Sequence, residues 1–107
     1  MTKTGELSSK LEDLKQESPQ RFGYLEQYWE DAKEGLDNTS RNYARVVHIY
    51  ENISEPEVGT RGLGHTLVLL AKLDVLTVLT NRSNATIYDL TSYQSERLDA
   101  VGRILDQ

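Results

Sequence analysis

Residues 60–90 read TRGLGHTLVLLAKLD (60–74), VLTVLT (75–80), NRSN (81–84) and ATIYDL (85–90). In the first piece Leu63, Leu67, Leu70 and Leu73 are spaced four, three and three residues apart, so they share one stripe of a helix. A stripe of that kind needs a core to lie on. Arg61, His65 and Lys72 fall off it, toward solvent or a partner. After Asp74 the periodicity changes: 75–80 and 85–90 are rich in β-branched residues and alternate, with a short polar segment between them. Two such runs around a polar turn predict a β-hairpin, here with Arg82 at its tip.

The flanking sequence predicts helices. Ser9-x-x-Glu12 is a capping-box pattern ahead of Leu11 and Leu14, which places a short helix at 9–17 and leaves 1–8 as a disordered terminus. Ser18-Pro19 then offers an N-cap and a first-turn proline for a second helix over 19–34. On that helix Phe22, Leu25, Trp29 and Ala32 follow 3, 4, 3 spacing, with Tyr24 and Tyr28 on a flank. Core or subunit packing accounts for such a stripe, and an aromatic pocket for a small effector is the sharper alternative. Gly35 and Asp37-Asn38 read as its end. Thr39 or Ser40 would cap a third helix over 41–52, burying Tyr43 or Ala44, Val47, Tyr50 and Ile53. Arg41 and Arg45 then sit one turn apart on its exposed side. Thr91 or Ser92 would cap a last helix, 93–105, carrying Leu98, Val101 and Leu105 on one stripe with Ile104 beside it.

Composition narrows the function classes. At 107 residues the chain is expected to be one domain with a modest core, for which a second subunit would be a natural support. It has no cysteine, which excludes disulfides, thiolate zinc sites and thiol redox sensing within these residues. Neither a membrane-spanning run nor an export signal is evident, so a cytoplasmic protein is expected, and the four Asn-x-Ser/Thr triplets carry little weight. An enzyme is not expected. His48 and His65 are the only histidines, and neither has a neighbour arranged as a triad. The weak metal pattern His48-x-x-Glu51 rests on spacing alone, and the glycines lack the lysine and spacing of a phosphate-binding loop. No cofactor or metal is therefore expected.

A helix followed at once by a hairpin with a basic tip is the working end of a winged helix, which makes duplex DNA the expected partner. The net charge of −5 opposes this, but its distribution softens the objection. Residues 1–40 hold nine acids and five bases, whereas 58–88 hold one acid (Asp74) and three bases (Arg61, Lys72, Arg82) plus His65. Thr60, Arg61, His65 and Thr66 would present donors at the N-terminal end of a major-groove helix. Gly62 and Gly64 would either permit close backbone approach to DNA or mark a turn before a helix that begins nearer His65. Lys72 would meet phosphate. Asn81, Arg82, Ser83 and Asn84 would enter a minor groove. Arg41 and Arg45 have two readings, phosphate contact or a solvated face with intrahelical ion pairs. The helix before residue 60 that such a domain needs would fall near 54–57, where little room remains.

At these residues the chain resembles the PadR-like winged-helix regulators. The likeness covers 70–105: LAKLDVL running into the hairpin, then Tyr88, Leu90 and Thr91 in a Tyr-x-Leu-Thr exit from the wing and an amphipathic C-terminal helix. Its acidic, cysteine-free character is similar to that of the small haloarchaeal members of the group, whose setting is a salt-rich cytoplasm and stress response. The resemblance implies an α+β, mainly helical fold: a winged helix-turn-helix core (39–90), extra N-terminal helices (9–37), a two-stranded wing and a C-terminal dimerisation helix. It further implies a homodimeric, sequence-specific transcriptional regulator, for which Phe22, Leu25, Trp29, Leu98, Val101 and Leu105 would form the dimer interface. The chain departs from the pattern in lacking the glycine expected near Asp74. Two rival accounts are a winged helix used for protein contact alone and a small effector-binding protein.

Overall fold

The computed structural model describes residues 3–80 and 86–106. Among these residues five α-helices, three short strands and one 3-10 turn follow in order: α1 (Lys3–Glu17), α2 (Pro19–Asn38), β1 (Tyr43–Ala44), α3 (Val46–Tyr50), α4 (Thr60–Lys72), β2 (Thr77–Thr80), β3 (Ile87–Asp89), the 3-10 turn (Leu90–Ser92) and α5 (Ser95–Leu105). The class is α+β, mainly helical, with one small antiparallel sheet. Its strand order is β1-β3-β2, so the latest strand lies between the other two.

Helix α1 begins well before the capping box at Ser9. Leu7, Leu11 and Leu14, at 4, 3 spacing, are all buried, so Leu7 pulls residues expected to be disordered into a packed helix. Helix α2 runs through Gly35 and ends at Asn38. Gly35 continues the helix because α3 packs directly on it: a Cβ there would lie 2.7 Å from the Ile49 carbonyl oxygen. Close helix approach, not turn chemistry, explains that glycine.

The expected helix over 41–52 is replaced by a strand and a five-residue helix. Tyr43 and Ala44 pair with Asp89 and Tyr88 of β3, and Ala44 enters the core. Sheet pairing satisfies backbone groups that a helix would otherwise have satisfied. Arg41 consequently precedes the strand and Arg45 is the N-cap of α3, so the two are not one turn apart on a helix. Val47, expected inside, is 44% exposed, and Ile49 takes the buried position.

Residues 51–59 connect α3 to α4 without regular helix, and two α2 carboxylates hold them. Glu34 Oε2 accepts from the Ser54 backbone N–H (3.0 Å) and hydroxyl (2.7 Å). Asp31 Oδ2 accepts from the N–H groups of Glu57 (3.0 Å) and Val58 (3.3 Å). The hydroxyl and N–H of Ser54 hold the Glu34 carboxyl below the usual carboxylate range. These acids fix where α4 starts.

Helix α4 lies across α2 with Leu63, Leu67, Leu69 and Leu70 fully buried. It ends in a Schellman arrangement, with Asp74 N–H donating to Ala71 and Val75 N–H to Leu70. Asp74 occupies the left-handed position at φ 64°, where glycine is usual. Its carboxylate pairs with Lys10 Nζ at 2.6 Å, which links α1 to the end of α4.

Helix α5 closes the far side. Its Gly102 seats the Trp29 ring so closely that a Cβ there would overlap it. Arg97 Nε donates to the Leu73 carbonyl at 2.6 Å, tying α5 to the end of α4. Phe22, Leu25, Leu98 and Val101, expected at a dimer interface, are consumed by this intramolecular core. Trp29 and Leu105 are only partly buried but pack against the same cluster. The stripe spacing is correct for burial; the α2–α5 contact within one chain is what fills it.

Candidate nucleic-acid interface

One face of α4 is left open by this packing. A groove of about 670 Å³ runs beside it. Arg21 enters from α2, Arg45, Val46 and Val47 from the start of α3, and Thr60, Arg61, Gly64, His65 and Val68 from α4, while Tyr88 and Thr86 come from β3 and the residue before it. A second groove of about 350 Å³ continues between α4 and β2, lined by Ala71, Lys72, Asp74, Leu76, Thr77 and Val78. Both include Val68 and Thr86, so together they follow the outer side of α4.

Among the described residues, no carboxylate lines the first groove. Among those same residues Arg21, Arg45 and Arg61 make no ion pair, whereas Lys10, Lys33 and Arg97 are engaged by Asp74, Asp37 with Asp99, and Glu6. Arg21, Arg45 and Arg61 thus bring positive charge without an ion pair to this acid-free face, as Lys15, Arg41 and Arg103 do elsewhere among the described residues, even though the whole chain is acidic. The N-terminus of α4 opens onto it, capped by Gly59 with no side-chain bond, so its first-turn N–H groups add positive potential.

His65 is held half-buried between these cations, its ring stacked on Tyr24 at 5.2 Å between centroids, and Tyr24 is in turn stacked on Tyr28. Burial first, then the charges of Arg21 and Arg61, push its pKa below 6.5. The imidazole is thus neutral near pH 7 and offers a donor and an acceptor. His48, by contrast, is spent locally: its Nδ1 accepts the Arg45 N–H at 3.2 Å, closing the first turn of α3.

The residues anticipated for DNA contact divide. Thr60, Arg61, Gly64, His65 and Arg45 come together on the first groove, and Lys72 lies on its continuation. Thr66 does not reach this face: it is fully buried and its hydroxyl donates to the Gly62 carbonyl at 3.0 Å. Gly62 is also turned inward, where a Cβ would meet Val58 (2.9 Å) and Tyr24 (3.1 Å), so it serves packing on α2. Helix α4 includes both glycines, which removes the alternative of a turn before His65. Arg41 is exposed and does not line the groove. Asn81, Arg82, Ser83 and Asn84 lie outside the described residues.

Arg21 was not anticipated. Its signal was present in the flank occupied by Tyr24 and Tyr28, since 21, 24 and 28 follow helical spacing and share the side of α2 that meets α4. No family model, curated protein or solved structure matches the chain. No helix of the described residues is long and apolar enough to cross a membrane.

Proposed function

We propose that the chain is a duplex-DNA-binding regulator of winged-helix type, with α4 as the helix that enters the major groove. The observation that carries this is the set of three arginines without ion pairs among the described residues, gathered around the acid-free groove along α4 in a chain of net charge −5. A phosphate backbone is the partner that rewards unpaired guanidinium groups spread along an open groove. The order helix, strand, helix, helix, strand, strand from α2 to β3, with β3 central, supports the winged-helix assignment and makes α3 the positioning helix. Helix α3 lies earlier than the 54–57 position the sequence pointed to. PadR-like membership belongs to the same proposal.

A homodimer completes the reading. Ile104 and Leu105, both half-buried, border a shallow groove between α1, α2 and α5, remote in sequence from α4. Sedimentation equilibrium is expected to give twice the chain mass; a monomer at every concentration would remove this part.

A randomised duplex pool, challenged at several salt concentrations, tests the DNA reading. Retention that weakens with salt and is abolished by Arg21→Ala with Arg61→Ala is expected. Failure to retain any duplex at low salt would remove it. The half-exposed Val47 and the apolar Val68 and Ala71 favour a second reading, an interface for another protein. Binding of a different protein that survives loss of both arginines but is lost in Val68→Asp would support that alternative.

A further inference from the structure

The outer side of α4 is unusual for a surface that reads bases. Between Arg61 near its start and Lys72 at its end it presents Gly64, Val68 and Ala71, with exposed Val47 of α3 alongside. Between those two cations only His65, its ring stacked on Tyr24, can hydrogen-bond a base edge; Gly64, Val68, Ala71 and Val47 cannot. All four bases present donors or acceptors in the major groove, thymine O4 among them, which an apolar surface would desolvate without replacement. Thymine alone adds a methyl group there.

Resting on the DNA-binding reading above, we propose that Gly64, Val68 and Ala71 form a thymine-methyl reading surface, flanked by phosphate contacts from Arg61 and Lys72. Gly64 leaves the necessary room. A Cβ at that position would have only Val46 Cγ2 near it, at 3.8 Å, so the helix backbone is open to close approach. The dimensions agree as well. Gly64 to Ala71 spans about 10 Å of helix, the length of roughly three base-pair steps. Arg61 to Lys72 spans about 16 Å, enough to bracket them. Specificity would then reside in a run of two or three thymines on one strand, contacted through their C5 methyls, while the arginines supply affinity without sequence preference.

The test uses the tightest duplex recovered from a randomised pool, with each thymine replaced in turn by deoxyuridine, which keeps pairing and loses only the methyl. Binding is read by fluorescence anisotropy at fixed salt. Two or three adjacent replacements are expected to weaken binding about fourfold each, the value of one buried methyl. In Val68→Ala that discrimination should shrink. Val68→Thr, which keeps the shape but adds a hydroxyl, should weaken the parent duplex more than its uridine analogue. Uridine duplexes bound as tightly as the parent would overturn the methyl-reading surface while leaving DNA binding intact. Absence of binding to any duplex would overturn both.

Discussion

Helix α4 has two sides that obey different rules. Its inner side carries Leu63, Leu67 and Leu70, all fully buried, and its glycine there, Gly62, is required by the close approach of Val58 and Tyr24. Its outer side carries Arg61, Gly64, His65, Val68 and Lys72, and its glycine there, Gly64, meets no such constraint. One side is specified by packing within the chain. The other holds arginine charge that no carboxylate among the described residues engages, and that asymmetry is the basis for assigning it to a partner.

The contrast is sharpest in stability. Leu67→Ala should cost about 2–5 kcal/mol by urea denaturation, because both the transfer term and the cavity count against it. Val68→Ala, one residue on, should cost about 1 kcal/mol or less. Equal losses would erase the distinction between the two sides. The glycines extend it: Gly102→Ala drives a Cβ into the Trp29 ring and should cost about 1–3 kcal/mol, whereas Gly64→Ala should gain up to about 1 kcal/mol from helix propensity while weakening DNA binding.

Charge removal should show the reverse pattern. Arg21→Ala, Arg45→Ala and Arg61→Ala combined should leave stability within about 1 kcal/mol. The dependence of log affinity on log salt should flatten by about 0.9 for each phosphate that is no longer neutralised. A smaller effect is expected from pH. Because the folded state lowers the His65 pKa, the unfolded chain binds the extra proton, so stability falls as pH is lowered from about 6.5 toward the folded value. His65→Gln should abolish that segment of the pH dependence, measured by thermal unfolding between neutral pH and the onset of carboxylate titration. A wild-type profile flat there would contradict the burial of the ring among cations. Smallest of all, Asp74→Gly should change stability by no more than about 1 kcal/mol, since relief of the left-handed backbone is offset by loss of the exposed Lys10 pair.

The inner side was legible in the sequence because spacing alone encodes it: Leu63, Leu67, Leu70 and Leu73 declare the helix, and Leu11 and Leu14 declare α1. What spacing does not encode is which neighbour satisfies the stripe. Phe22, Leu25, Leu98 and Val101 read equally well as an intersubunit seam, and only the seating of Trp29 on Gly102 resolves them as one core. Residues 41–52 misled for a related reason, since a two-residue strand is decided by its distant partner, Tyr88 and Asp89, and leaves no local period. Of the open side, Arg61, Gly64, His65 and Lys72 could be placed from helical phase. Arg21 could not be placed without knowing how α2 crosses α4. Gly35 and Gly62 look like turn residues in sequence and are packing residues in the fold.

The most direct measurement is the change in backbone amide shifts of the labelled protein as duplex DNA is titrated in at low salt. Perturbations are expected to concentrate at Thr60, Arg61, Gly64, His65 and Val68, with Arg21 and Arg45 following and the α1–α5 side unmoved. Shifts confined to α1 and α5, or a spectrum indifferent to DNA, would contradict DNA binding through α4.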